Sequence, residues 1–229
     1  MMISIVIPTY NEEQNIGVLI TYLKQYGSNA IADIIIADAG SEDNTVKIVE
    51  DNGATVITSL KKCRASQMNT GAGQANADIL YFIHADTLPP QTFVKDIFKS
   101  IKDGFDLGRY TSKFKSDKPL LRFNELVAKL DLFMCMGGDQ TLFIKKELFI
   151  KLAGFKEEML IMEEYEFCKR ARAQGRYKIM NGKTLISARK YHKNSWLKVQ
   201  LANAKILRMY KKGVDQNNLL EEYKKLLQL

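Results

Sequence analysis

Ile3-Ser4-Ile5-Val6-Ile7-Pro8-Thr9 is a β-branched run closed by Pro8, the pattern of a buried strand feeding a loop. Working outward, residues 12–26 place Ile16, Leu19, Ile20 and Leu23 at the 3/4 spacing of an amphipathic helix, with Glu12 and Glu13 expected in its first turn. Residues 33–37 are a second, nearly continuous apolar strand, and the turn Asp38-Ala39-Gly40-Ser41 follows it. A helix is expected over 45–52, a strand over 55–58, a helix over 64–76, and a fourth strand over 79–83 that ends at His84-Ala85-Asp86. Strands apolar on both faces and alternating with helices indicate a parallel sheet covered on both sides, hence a doubly wound α/β unit.

The second half is less regular. Helices are expected over 89–101, 120–136 and 163–174, short strands over 141–144, 177–180 and 185–187, and a long helical tail from Ser195. No internal repeat and no Gly/Ser- or Pro-rich linker divides the chain. It reads as one unit over residues 1–188 with a basic helical extension over 189–229.

Length and composition are those of a globular protein: 229 residues, 46% hydrophobic and 26% charged. No apolar run reaches the ~18 residues a membrane span needs, and no export signal is recognisable, so a cytoplasmic protein is expected. Cys63, Cys135 and Cys168 have no metal-ligand spacing and are expected as thiols. The formal net charge of +8 is unevenly placed. Residues 1–110 hold 9 basic against 13 acidic side chains, whereas residues 111–229 hold 25 against 13.

The chemistry is expected at the carboxyl ends of the strands, where open α/β sheets form their ligand crevice. Thr9, Asp38 and Asp86 end three of the apolar runs and so fall on that one edge. A carboxylate at the end of a buried strand needs a cation, a donor or a ligand opposite it. Asp86 is either a Mg²⁺ or Mn²⁺ ligand, sharing the ion with water and phosphate oxygens, or a cap for the helix that follows. A second acidic cluster, Glu163-Glu164-Tyr165-Glu166, reads either as a solvated helix start or as the source of a general base.

Residues 5–13, then Asp38-Ala39-Gly40-Ser41-Glu42-Asp43, then Arg64-Ala65-Ser66-Gln67-Met68-Asn69 with Gly71, then His84-Ala85-Asp86, resemble the family 2 glycosyltransferases. The likeness continues through Gly138-Asp139-Gln140 and Glu163-Glu164, about three quarters of the chain. It implies a GT-A, Rossmann-like three-layer α/β fold with a mainly parallel sheet and a helical C-terminal tail. It also implies inverting transfer from a nucleoside-diphosphate sugar, usually a UDP-sugar, with Mg²⁺ or Mn²⁺ as cofactor. By that resemblance Pro8, Thr9, Tyr10 and Glu12 form the nucleotide-binding loop, Asp38 reads the base, and Arg64, Gln67 and Asn69 lie near the nucleotide. Ala85 and Asp86 sit at the diphosphate, with Asp86 on the metal, and Gly138 and Asp139 line the substrate site. Glu164 is then the catalytic base, with Glu163 beside it and Asp139 as an alternative. Two positions depart from the family's pattern: His84 stands at the first acid of Asp-x-Asp, and Glu164 stands where Asp is usual.

Rival readings are a nucleotidyltransferase, disfavoured by the lack of a Gly-rich basic loop after the first strand, and a non-catalytic nucleotide-sugar or phospholipid-binding module. Nucleic acid is not expected as a partner, because aromatic side chains interleaved with Lys/Arg are sparse. Residues 189–212 carry eight basic side chains and no acid. On a helical wheel Trp196, Val199, Ala202, Ile206, Leu207, Met209 and Tyr210 share one arc, opposite Lys198, Lys205, Arg208 and Lys212, with Leu197 and Leu201 among the basic side chains. That helix either packs its stripe on the domain or lies on an anionic membrane at the inner face, near a lipid-linked acceptor.

Overall fold

A computed structural model describes residues 1–116, 118–127 and 141–227. Gly138, Asp139 and Cys135 of the sequence reading lie outside the described residues. The first half alternates β1 (Ile3–Thr9), α1 (Ile16–Gly27), β2 (Ile31–Asp38), α2 (Thr45–Asp51), β3 (Thr55–Thr58), α3 (Arg64–Gln74) and β4 (Ile79–Phe82). Then come β5 (Thr87–Leu88), α4 (Phe93–Lys102), β6 (Leu107–Phe114), α5 (Pro119–Val127), β7 (Leu142–Lys145), α6 (Lys146–Lys151) and α7 (Glu163–Gln174). The chain finishes with β8 (Tyr177–Ile186), α8 (Lys190–Lys193), α9 (Trp196–Lys211) and α10 (Gln216–Leu227).

The eight strands form one sheet in the order β3-β2-β1-β4-β7-β6-β8-β5. β1 to β4 are mutually parallel, β7 runs antiparallel to both β4 and β6, and β6 pairs in parallel with β8. Successive β1 side chains point to opposite faces. Ile3, Ile5 and Ile7 therefore meet Leu19, Ile20 and Phe93 from α1 and α4, while Val6 meets Met68 and Ala72 from α3. Both faces are covered, which is why every residue of β1 is buried and why its sequence is apolar without alternation.

Three expectations change. α1 begins at Ile16, because Glu12 to Asn15 form a turn closed by the Ile16 amide donating to the Glu12 carbonyl at 3.0 Å. The two strands expected near 177–187 are one strand, β8, bent at Gly182. The tail is two helices, interrupted between Lys212 and Asp215.

β6 carries no strand signal in the sequence because it contains Gly108, Arg109, Thr111 and Ser112, all buried. Its interior position depends on Arg109, whose Nε donates to the Tyr177 hydroxyl at 2.6 Å and whose Nη1 donates to the Tyr110 carbonyl at 3.3 Å. Buried guanidinium hydrogens need acceptors, and these two neutral oxygens supply part of that need.

The apolar stripe of α9 is covered. Val199 and Ala202, with Trp196 alongside, close a third small core with Phe114, Leu121, Ile186 and Tyr191. The packed-helix reading therefore describes that stripe, and the side chains left outward on α9 include Leu197 and Leu201.

Candidate active site

Loops at the carboxyl ends of β1 and β2 are joined residue by residue. The Asn11 amide donates to Ser41 Oγ at 2.8 Å, the Glu12 amide to Thr45 Oγ1 at 2.8 Å, and the Glu13 amide to Asp43 Oδ2 at 3.1 Å. In return the Glu42 amide donates to Asn11 Oδ1 at 2.9 Å and Asn44 donates to the Glu13 carboxylate. Asn11 takes a left-handed backbone (φ 54°), which short polar side chains tolerate, and this turns the chain out of β1 toward its neighbour. Glu13 and Asp43 thus serve loop structure, and Glu13 does not complement a helix dipole.

Asp38 is buried at the end of β2. One carboxylate oxygen accepts from the Gly40 and Ser41 amides at 3.0 and 2.8 Å, and the other accepts from Thr9 Oγ1 and Ser41 Oγ. Four bonds fill the acceptor capacity of a carboxylate. Asp38 therefore builds the turn, with Gly40 (φ 82°) supplying the left-handed residue the turn requires. To read a base N–H as well, it would have to release one of these partners.

Gln67 and Asn69, expected near the nucleotide, are committed to backbone. Gln67 is buried on α3 and its Nε2 donates to the carbonyls of Thr9 and Ala37 at 2.7 and 2.8 Å, bracing β1 against β2 where both strands end. Asn69 donates to the Phe155 carbonyl at 2.8 Å and accepts from the Phe155 amide at 2.9 Å, tying the loop after α6 to α3. Gly71, on the same helix, allows close approach to β1: a Cβ there would lie 2.4 Å from Val6 Cγ1. Of the first loop, Pro8 and Thr9 are buried, whereas Tyr10 faces outward with Lys62 Nζ 4.9 Å from its ring centre.

Beyond β4 the chain turns tightly, the Thr87 amide donating to the His84 carbonyl at 3.1 Å. The turn points its side chains to different partners, and Ala85 between them is buried. His84 Nε2 lies 3.1 Å from Glu164 Oε1, the two side chains being only 13% and 11% exposed. Asp86 Oδ2 lies 3.4 Å from Arg189 Nη2, and the same guanidinium grips Glu12 through two bonds of 2.6 and 3.2 Å. Glu12 is fixed from its other side by Asn15 Nδ2 at 2.8 Å.

Glu163 and Glu164 open α7, behind Met162 in a left-handed conformation (φ 69°), and both are buried. Burial pushes the Glu163 carboxyl above its ordinary range against the opposing pull of Arg64. For His84, burial disfavours the imidazolium, but the Glu164 carboxylate outweighs it and raises the ring above its usual value. Glu166 belongs elsewhere: Arg170 holds it through two bonds of 2.7 Å. Cys168, one turn beyond Glu164, is a free thiol that burial pushes up to about 12, so it stays protonated and inert.

Arg189 was not among the expected site residues. The basic run that contains it is visible in the sequence, but its reach to Glu12 crosses 177 positions.

Among the described residues no three His, Cys, Asp or Glu side chains gather to hold an ion. Asp86 and Glu12 are hard oxygen donors of the kind a divalent ion takes beside water and phosphate oxygens, but both face the Arg189 guanidinium, which an ion there would have to displace.

The chain is similar to several known proteins. An uncharacterized glycosyltransferase of Haemophilus influenzae is 24% identical over 177 residues, 72% of this chain and 60% of that protein. The undecaprenyl-phosphate 4-deoxy-4-formamido-L-arabinose transferase of Proteus mirabilis is 28% identical over 116 residues, 46% of this chain and 35% of that protein. The chain thus spans less than two thirds of the length of either relative. The solved mannosyltransferase of Pyrobaculum calidifontis in complex with GDP-Man and Mn²⁺ superposes with a TM-score of 0.70 at 16% identity, covering 97% of this chain and 69% of its own, and so shares the GT-A, Rossmann-like fold. The sequence profile described as Glycosyl transferase family 2 matches residues 4–143, so this chain belongs to glycosyl transferase family 2.

Proposed function

We propose that the chain transfers a sugar from a nucleoside-diphosphate sugar, with UDP as the nucleotide, to an acceptor hydroxyl with inversion. The observation that carries this is the convergence of Glu12, Asp86 and Arg189 beside the His84–Glu164 pair at one sheet edge. Glu164 takes the proton of the acceptor hydroxyl, whose oxygen bonds to the anomeric carbon. The bond from that carbon to the diphosphate breaks on the opposite face, and its electron pair leaves with the nucleoside diphosphate. Arg189 and Asp86 serve the leaving-group end: the guanidinium donates to phosphate oxygens, and the carboxylate would hold Mg²⁺ or Mn²⁺. Such an ion, when bound, neutralises charge on the departing diphosphate. Glu163 and Asp139 are the alternative bases.

Pro8, Thr9, Tyr10, Glu12 and Asp38 shape the nucleotide loop, and Arg64 serves the nucleotide from the start of α3. Gly138 and Asp139 remain assigned to the substrate site. Residues 1–188 constitute the transferase unit and 189–229 an extension that enters the site through Arg189.

The test is release of nucleoside diphosphate from UDP- and GDP-sugars with Mn²⁺ or Mg²⁺, with the product anomer assigned by NMR. Asp86→Ala and Glu164→Gln are expected to lose turnover with melting temperature kept. Wild-type turnover in either variant sinks that residue's assignment, and retained anomeric configuration sinks the inverting mechanism. Turnover of GDP-sugars but not UDP-sugars removes UDP.

The same proposal includes an acceptor on a lipid phosphate, at the inner face of a membrane. No helix among the described residues is long and apolar enough to cross one. What supports surface contact is the outward face of α9, where Leu197 and Leu201 are 59% and 61% exposed in the same helix as Lys198 and the exposed Lys205. Sedimentation with anionic vesicles is expected to weaken for Leu197→Ser/Leu201→Ser, and unchanged binding removes this face from the proposal.

A further inference from the structure

His84 and Glu164 are 80 positions apart and are the two places where this sequence departs from the family's usual acids, yet they form a single interaction. Glu164 acts as a base only when ionised, and an ionised carboxylate can only accept, so in that state His84 Nε2, 3.1 Å away, carries the hydrogen and donates it to Oε1. A nitrogen that donates has no lone pair left for a metal ion, so Nε2 is not a ligand in this arrangement and only Nδ1 keeps a free acceptor position. Each partner is held from behind: His84 by the turn closed from its carbonyl to the Thr87 amide, Glu164 by the first turn of α7. Neither side chain is loose in solvent, both being nearly buried. The geometry points to His84 as a positioning residue for Glu164, a donor that fixes the plane of the base's carboxylate at the acceptor and does not ligate a metal through Nε2. The inference rests on the reading of Glu164 as the base.

Its consequence is a division of labour within His84-Ala85-Asp86. The first side chain serves the acceptor end of the reaction and the third serves the leaving-group end, while Ala85 between them in sequence is buried in the apolar core. A variant of His84 should therefore act on the chemical step and spare nucleotide binding.

The experiment compares wild type, H84A, H84Q and E164Q. It measures kcat and KM with whichever of UDP-glucose, UDP-GlcNAc or GDP-mannose the wild type turns over with Mn²⁺, the affinity for UDP with Mn²⁺, and crystal structures of wild type and H84A. In H84A, kcat is expected to fall roughly 10- to 100-fold, the worth of a lost hydrogen bond to a charged group. KM and UDP affinity should stay within about 2-fold, and the Glu164 carboxylate should leave its wild-type position. H84Q, whose amide can donate in the same direction, is expected to recover most of the rate. Should H84A melt below the assay temperature, H84N, which is too short to reach, is compared with H84Q instead.

Loss of UDP–Mn²⁺ affinity in H84A with kcat kept overturns the inference, as does a folded H84Q no faster than H84A, or a Glu164 carboxylate unmoved in H84A. E164Q at wild-type turnover brings down the reading of Glu164 as base. An inactive E164Q beside a fully active H84A leaves that reading standing and overturns only the role of His84.

Discussion

Gln67→Met is expected to destabilise the protein and to leave the nucleotide site chemically intact. The substitution keeps the length and most of the volume of the side chain but removes both donated hydrogens, at 2.7 Å to the Thr9 carbonyl and 2.8 Å to the Ala37 carbonyl. The Thr9 carbonyl retains a second donor, the Ala39 amide at 3.0 Å, so it is not wholly orphaned. Two lost bonds between neutral groups, each worth about 0.5–1.5 kcal/mol net, give a loss of about 1–3 kcal/mol. For a chain of this size a central loss of about 2 kcal/mol lowers Tm by roughly 4–8 °C. Differential scanning calorimetry measures that shift, and calorimetric titration of UDP with Mn²⁺ gives the affinity of the folded variant below Tm. Gln67→Glu is expected to be worse, because an ionised carboxylate offers neither carbonyl a hydrogen. A Tm within about 1 °C of wild type together with UDP affinity reduced tenfold or more refutes the reasoning, since it places Gln67 on the nucleotide.

Gly71→Ala drives a methyl to 2.4 Å from Val6 Cγ1, and overpacking of this kind costs about 1–3 kcal/mol; the added mutation Val6→Ala should relieve less than its own cavity costs elsewhere, so the double mutant's unfolding free energy in urea is expected to show non-additivity. Arg189→Ala removes a largely exposed guanidinium, so Tm is expected to stay within about 1 °C of wild type while UDP affinity falls; a large Tm loss with unchanged affinity assigns it to structure alone. Glu166 is partly buried, which opposes its ionisation, but Arg170 and Lys156 outweigh this and hold its carboxyl below the usual range. A depressed carboxyl contributes stability that is present above its unfolded pKa and lost as pH falls through the folded one. The Tm of wild type is therefore expected to drop more steeply on acidification than that of Glu166→Gln, and parallel curves contradict the pairing.

By itself the sequence determined the layer order of the first half and the sheet edge at which Thr9, Asp38 and Asp86 lie. Ile3 to Thr9 and Ile79 to Phe82 are apolar on both faces because helices cover both, and such runs report their burial wherever they occur. Asp38 at the end of β2 and Asp86 just beyond β4 were legible for the same reason, since a strand's end is also the sheet's rim. β6 was not legible, because a buried arginine is admissible only once Tyr177, 68 residues on, supplies its acceptor. The side-chain assignments within the site also waited on tertiary structure. The local pattern placed Gln67 on a helix and the family resemblance placed it near the nucleotide, but only the packing of α3 on β1 and β2 turned its amide toward two strand-end carbonyls. Glu12 read as a helix-start acid and, by resemblance, part of the nucleotide loop until the fold brought Arg189 to it, and His84 read as a departure from the first acid of Asp-x-Asp until the start of α7 set Glu164 against it. Local pattern encodes how each segment is buried; which polar groups satisfy one another depends on contacts across 80 and 177 residues, and those exist only once the sheet has assembled.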